Sequence, residues 1–274
     1  MKSAITITLV PETRSGPFVF SDGLADGFAR AAALGFDAVE IFPSSAAETD
    51  TAAVAALAAS HGLRVAAVGT GAGWVKHKLR LTDPDPAVRR RAVAFVAGII
   101  DLAGDFGAPA IIGSMQGRAE GPVPREQACA WLAEALEELG PRAQGYGVPL
   151  LYEFLNRYET NLCTNVAEAL ALVGPLRTTN IRLLCDLFHM NIEEVDVAAA
   201  LRLAGARVGH VHFADSNRQA AGLGHTNFTP IVAALREIGY TGYLSGEVLA
   251  LPDAQTAAAQ TIAAFRQLVH SGHP

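Results

Sequence analysis

LGFDAVEIF, residues 34–42, combines the end of a helix, a two-residue connection and a short strand. Leu34 closes an amphipathic run, and the glycine that follows it favours the left-handed conformation that ends a helix. Residues 38–42 are then apolar enough for a buried strand. The same order of glycine and apolar run follows His61 and Phe106, and a glycine also follows Ile238 just before a later apolar run. The chain is therefore predicted to repeat one helix-to-strand unit.

Outward from this stretch, short apolar runs alternate with longer amphipathic segments over the whole chain. The predicted strands are residues 4–10, 38–42, 64–69, 108–113, 149–155, 181–188, 208–214 and 242–249. The predicted helices are residues 22–34, 52–61, 87–106, 126–139, 166–173, 194–204, 229–238 and 254–269. Alternating strands and helices indicate a parallel sheet, and eight units close a (β/α)8 TIM barrel. An open doubly wound sheet would show a glycine-rich phosphate loop after an early strand, and the sequence has none.

Composition narrows the class of protein. The 274 residues suit one barrel and show no linker, so we expect a single domain over residues 1–274. The net charge is −6 without a basic run, which disfavours a nucleic-acid partner. No apolar run approaches the roughly 18 residues of a membrane span, and residues 1–10 lack signal-peptide features. Three widely spaced cysteines, read as free thiols, fit a cytoplasmic protein.

Four neighbouring predicted strands each carry an acid or an imidazole near the C-terminal end. These residues are Glu153, Asp186, His212 and Glu247. Function in such barrels collects at this end, and an ionised carboxylate is costly to bury without a partner or a metal. His210 lies on the same side of its strand as His212 but deeper, so His212 is the predicted ligand. We therefore predict a metal site formed by the four residues.

The donor set indicates which ion binds. Three carboxylates and one imidazole are mostly hard ligands, which favour one divalent ion such as Mn²⁺, with Mg²⁺ or Co²⁺ as alternatives. Structural zinc prefers sulfur and nitrogen in a closed tetrahedron. Four protein ligands would leave two octahedral positions open, enough for the hydroxy-carbonyl fragment of a sugar.

Several blocks of sequence resemble a known family. EFLNRYETN at 153–161, DLFHMNIEE at 186–194, HVHFADSNR at 210–218 and LTDPDP at 81–86 are similar to the xylose-isomerase-like TIM barrel superfamily. That superfamily contains sugar (phosphate) isomerases and epimerases, and the match is best with its ketose 3-epimerases of the D-tagatose and D-psicose group. The strongest similarity covers residues 149–249.

The resemblance implies a function and a role for each matching residue. It implies a metal-dependent epimerase that inverts C3 of a ketose through a metal-stabilised cis-enediolate. Glu153 and Glu247 would be the acid/base pair as well as ligands, and Glu159, His189 and Arg218 would bind the substrate. The partner would be a small-molecule sugar, and the protein would form a homodimer or homotetramer.

Other segments depart from the epimerase pattern. GSMQGR at 113–118 stands where family members carry aromatic residues, and residues 8–20 match no epimerase pattern. These loops shape the substrate site, so the sugar, and whether it is phosphorylated or a 3-keto derivative, stays open. Glu40 is predicted either to bind a substrate hydroxyl or to form an ion pair. Trp74 is predicted to form a wall of the site or to pack.

Alternative functions remain at this point. The same glutamates would serve an aldose–ketose isomerase of the hydroxypyruvate type, or a lyase on 3-keto sugars or glycosides within a hetero-oligomer. A multi-zinc DNA-repair endonuclease would need further histidines near strands two to four, where His77 stands alone. A non-catalytic sugar-binding barrel is disfavoured because no expected ligand or glutamate is missing.

Overall fold

Eight parallel strands form a closed barrel with the order β1 to β8. The computed structural model describes residues 1–270, the last of them for its backbone alone. The strands are Lys2–Thr8, Ala38–Phe42, Arg64–Gly69, Ala110–Ile112, Leu150–Glu153, Ile181–Asp186, Val208–His212 and Tyr243–Gly246. The predicted fold class, a (β/α)8 TIM barrel, is confirmed. The end of the predicted domain, residues 271–274, lies outside the described residues.

Ten α-helices surround the barrel within the part of the chain that the structure describes. Helices α1 to α10 are Leu24–Leu34, Thr51–His61, Ala72–Val75, Pro86–Asp105, Arg125–Gly145, Val166–Val173, Leu187–Glu193, Val197–Ala204, Phe228–Glu237 and Ala254–His270. Short 3₁₀ turns cover Pro11–Thr13, Ser114–Gln116 and Gly205–Arg207. The eight predicted helices are present, and α3 and α7 are additional. None of the described helices is long and apolar enough to cross a bilayer.

The helix ends follow the expected capping chemistry. Gly35 and Gly62 end α1 and α2 in the left-handed conformation, with φ of 79° and 66°. Side-chain oxygens of Asp or Asn accept a backbone N–H at the start of α2, α4 and α6 to α9. One of these caps is Asp186, so strand β6 passes directly into α7 at a predicted ligand.

The barrel interior changes from apolar to polar along its axis. Leu151 and Leu184 are buried in a small interior cluster, two residues before Glu153 and Asp186. Because alternate residues of a strand share a face, the acids lie directly above these leucines. Asp186 is paired with His212, whereas Glu153 is opposite Leu184. Strands of a barrel are tilted and staggered relative to one another, so side chains at different register positions, such as Glu153 and Asp186, can meet at one height along the barrel axis.

Candidate metal centre and active site

The four predicted ligands converge at the C-terminal end of the barrel. The Nδ1 atom of His212 lies 3.5 Å from Glu153 Oε1, 3.4 Å from Asp186 Oδ2 and 3.4 Å from Glu247 Oε2. All four donor atoms lie within 4.8 Å of one another. Each side chain is almost completely buried. The structure therefore brings together all four residues, which come from strands β5, β6 and β7 and from the segment directly after β8.

A layer below the four predicted ligands fixes the orientation of His212. Its Nε2 atom lies 3.1 Å from Glu40 Oε1, and His210 Nε2 lies 2.8 Å from Glu40 Oε2. Burial alone would raise the pKa of Glu40, but the two histidines outweigh it and hold that pKa well below its usual value. We assign the Nε2 proton of His212 to the bond with Glu40, because a carboxylate can only accept. Glu40 thus hydrogen-bonds to both histidines of this layer, and it also lines the cavity above.

This orientation leaves Nδ1 of His212 facing the three carboxylates. Among the described residues, this buried nitrogen has no hydrogen-bond partner. An unpartnered imidazole nitrogen beside three buried carboxylates fits a hard divalent cation, which would satisfy all four groups together. A histidine whose other nitrogen bonds a carboxylate is the usual arrangement of a metal ligand.

The carboxylates of the cluster differ in their environment. Burial raises the pKa of Glu153, and the nearby charge of Glu247 adds to that effect while His212 opposes it. Burial also acts to raise the pKa of Asp186, but Arg218 and the neighbouring histidines bring it well below its usual value. The pKa values of these two buried carboxyl groups are therefore shifted in opposite directions by their surroundings.

His189 lies at the edge of the cluster, on helix α7. The Oδ1 atom of Asn156 accepts from Tyr158 N at 2.9 Å, which fixes that amide so that Nδ2 donates to His189 Nδ1 at 2.7 Å. The ring proton is then on Nε2, 3.6 Å from Asp186 Oδ2, and Nη1 of Arg218, which can only donate, lies 3.4 Å from the same nitrogen without accepting from it. Glu159 Oε1 lies 3.8 Å from His189 Nδ1. His189 is thus set to donate a hydrogen bond to an oxygen at the site.

Arg218 reaches the cluster from the loop after β7. Its Nη2 atom lies 3.3 Å from Asp186 Oδ2 and contacts Glu247 Oε2, while the guanidinium lies 4.7 Å above the ring of Phe188. Its backbone has a φ of 59°, which is uncommon for a residue other than glycine. Asp215 holds this loop by accepting the backbone N–H groups of residues 216, 222 and 226.

All seven predicted site residues except Asp186 line one cavity of about 320 Å³ above the cluster. Asp186 lies beneath its floor with its side chain fully buried. The loop after β1 supplies part of the wall through Glu12 to Phe18, and Phe18 packs on Phe42 at a ring distance of 4.5 Å. This volume is at the lower end of the usual range for small-molecule sites. The cavity therefore places a small ligand against the carboxylates.

The fold and the buried cluster together define a barrel enzyme with a candidate divalent-metal centre. Comparison with known proteins gives the family. The xylose isomerase-like TIM barrel family matches residues 28–268, and the chain belongs to this family.

Its relatives include an L-ribulose 3-epimerase of Mesorhizobium japonicum, 35% identical over 78% of this chain and 71% of that protein. A D-psicose 3-epimerase of Agrobacterium fabrum is 31% identical over 78% of this chain and 75% of its own. A solved structure of an L-ribulose 3-epimerase superposes with a TM-score of 0.82 at 27% identity, covering 98% and 95% of the two chains. These relatives confirm both the resemblance and the expected class, an enzyme of the isomerase type.

Proposed function

We propose that this protein is a metal-dependent ketose 3-epimerase that uses Glu153 and Glu247 as its acid/base pair. The observation that carries the proposal is the meeting of these two carboxylates, one from strand β5 and one from the segment directly after β8, with Asp186 and His212 under one small cavity. Epimerase relatives support the reaction class. Inversion at a carbon needs one group to remove a proton from one face and a second to return it to the other.

The residues that would hold the ion are Glu153, Asp186, His212 and Glu247, through the atoms that converge. When bound, a divalent ion polarises a carbonyl oxygen and so acidifies the neighbouring C–H bond. We propose Mn²⁺ for this role, with Mg²⁺ or Co²⁺ as alternatives, because the donors are mostly oxygen.

The protein's own groups would position the sugar and move the proton. One glutamate removes the proton from C3, leaving a cis-enediolate, and the other returns a proton to the opposite face. Glu153 and Glu247 both line the cavity, so either carboxylate can reach a substrate held there. His189 Nε2 and the guanidinium of Arg218 face the same region and would donate to substrate oxygens, with Glu159 accepting from a hydroxyl.

The test is a panel of free ketoses, D-fructose, D-psicose, D-tagatose and L-ribulose, incubated with Mn²⁺-loaded protein in D₂O and followed by NMR. We expect deuterium at C3 together with the C3 epimer. Deuterium at C1 or C2 would instead establish an aldose–ketose isomerase, and elimination products would establish a lyase.

Two matched variants test the acid/base pair. Glu153→Gln and Glu247→Gln each remove one proton-transfer group, so we expect turnover to fall by about 10²-fold or more. Near-full activity of either variant would contradict a two-base mechanism. Circular dichroism and Mn²⁺ titration of each variant separate loss of chemistry from loss of the fold or of the ion.

The expected cytoplasmic location and the homodimer or homotetramer stay predictions. Light scattering during size-exclusion chromatography tests the oligomeric state.

A further inference from the structure

A second cavity of about 170 Å³ adjoins the active-site cavity. The two cavities share three wall residues, Ser114, Leu155 and Glu159. We call the second cavity the side chamber, and its other wall residues are Trp74, Arg80, Gly117, Arg118 and Glu120. The side chamber therefore lies beside the candidate active site, and a substituent on a ligand in that site would have to extend past Glu159 to reach the side chamber.

The side chamber has the size of one further sugar residue. One water-sized group needs about 10–15 Å³ of such space, so the chamber holds roughly a dozen of them. That number is close to the count of non-hydrogen atoms in a hexosyl unit. A free ketose positioned over the metal ligands would leave this space to water.

The charges on the chamber wall balance. Arg80 contacts Glu120 through Nη1 and lies 3.0 Å from Asp83 through Nη2. Arg118 donates from Nη1 to the carbonyl oxygen of Tyr158 at 3.1 Å. Two guanidinium groups face two carboxylates, Glu120 and Glu159, so a phosphate would meet repulsion as well as attraction. A neutral polyhydroxylated group finds both donors and acceptors.

The wall is also held in place before any ligand binds. The indole of Trp74 has the Lys78 ammonium 5.1 Å and the Arg80 guanidinium 5.3 Å from its ring centroid. Trp74 and Leu155 supply apolar surface, whereas Ser114 and Arg118 supply hydrogen-bonding groups. Apolar surface with a few fixed polar groups is the usual composition of a small-molecule site.

We propose that the side chamber binds a neutral glycosyl substituent, so that the enzyme acts on a glycosylated ketose in preference to the free sugar. This inference rests on the proposed function, because it places the substituted ketose over Glu153 and Glu247. We assign Arg118 as a specificity-determining residue, since it lines the side chamber but not the active-site cavity and its guanidinium, unlike that of Arg80, is not paired with an acid among the described residues.

The experiment compares D-fructose with its 1-O-, 4-O- and 6-O-α-D-glucosyl derivatives and with fructose 1-phosphate and fructose 6-phosphate. Each is incubated with the Mn²⁺-loaded protein in D₂O, and kcat/KM for exchange at C3 is measured. We expect at least one glucosyl derivative to exceed D-fructose by about tenfold or more, the effect of one or two additional hydrogen bonds. The phosphates should fall below D-fructose.

Two variants of one residue and one control complete the test. Arg118→Ala and the chamber-filling Arg118→Trp should lower kcat/KM for the glucosyl substrate about tenfold or more and leave the free ketose within about twofold. Arg90→Ala, an exposed arginine on α4, should change neither value. Retained activity on the free ketose shows in each case that the variant is folded.

The outcomes separate this inference from the proposed function. Turnover of free ketoses with slower reaction of every glucosyl derivative overturns the side-chamber proposal and leaves the epimerase intact. A preference for a phosphate, or an equal loss on both substrates in Arg118→Ala, also overturns it. Absence of C3 exchange with every sugar overturns both proposals.

Discussion

Gly113 follows strand β4 and determines how closely the chain approaches Glu153. A Cβ atom at this position would lie 2.2 Å from Glu153 Oε2. The φ of Gly113 is −109°, so no left-handed conformation requires glycine here, and the close approach to Glu153 is what an added Cβ atom would disturb. Gly113→Ala should therefore displace the Glu153 carboxylate, and its effect on the fold is measured separately.

The size of the effect follows from the distance. Ordinary van der Waals contact begins at 3.4 Å, so the carboxylate oxygen must move by about 1.2 Å. A misplacement of about 1 Å at a reacting group costs on the order of 10²-fold in rate. We expect kcat/KM for C3 exchange to fall by about that factor, or roughly 2.7 kcal/mol in the barrier, and Mn²⁺ to bind more weakly.

The assay is C3 deuterium exchange with isothermal titration of Mn²⁺, and thermal unfolding serves as the check on the fold. Gly98→Ala is the matched control. Gly98 lies inside helix α4, and a Cβ atom added there would lie 3.6 Å from the Cβ of Ala46, an ordinary contact distance. That change should leave activity unaltered and stabilise the helix by up to about 1 kcal/mol. Wild-type activity and Mn²⁺ affinity in Gly113→Ala would refute the view that the Glu153 carboxylate reacts and binds from its observed position.

Three further changes address the groups around the ligands. Glu40→Gln removes the carboxylate that orients His212 and should weaken Mn²⁺ binding about 10- to 100-fold in calorimetry; unchanged affinity would mean that Glu40 does not position the ligand. Arg218→Gln should lower kcat/KM without weakening Mn²⁺ binding. The guanidinium contacts the same oxygens of Asp186 and Glu247 that would bind the ion, so its removal leaves them free for the ion. A parallel loss of affinity would make Arg218 part of the metal site instead. Asp215 is buried, yet the backbone N–H groups that it accepts outweigh that burial and lower its pKa. The ionised Asp215 carboxylate therefore stabilises the fold above about pH 4, and this stabilisation is lost as pH falls through the lowered pKa. Asp215→Asn should therefore lower stability by about 1–3 kcal/mol at neutral pH and flatten its decline in acid unfolding curves, and an acid profile that matches the wild type would contradict this.

The sequence predicted the barrel well because its periodicity is a local property. Strands β2 and β3 and helix α6 begin and end at the predicted residues. The errors arose where side-chain chemistry overrides periodicity. Helix α7 starts immediately after Asp186 because that side chain caps it, although residues 181–188 read as one apolar strand. The predicted helix end at residue 139 is too early, since α5 continues through Pro141 to Gly145.

The site was partly predictable for the same reason. An acid inside an apolar run is visible in the sequence, which is why Glu153, Asp186 and Glu247 were identified. Asn156 lies in one of the family-like blocks, but its bond to His189 depends on a contact between the loop after β5 and helix α7. Gly113 carries no side-chain signal at all, because its role is the space that it leaves for another residue.

The two histidines of strand β7 lie at two levels of the barrel: His210 in a buried layer, and His212 above it beside the three carboxylates. Glu40 joins His210 below and His212 above, and each oxygen of its carboxylate accepts from one of them. His210 therefore compensates a carboxylate that would otherwise be too costly to bury, and this allows Glu40 to hold His212 in a single tautomer. With Nε2 engaged, Nδ1 is the one ring nitrogen of His212 left to face the cavity. The loops above it can then vary with the sugar while the donor atoms remain in place, consistent with the difference between residues 8–20 and the epimerase pattern.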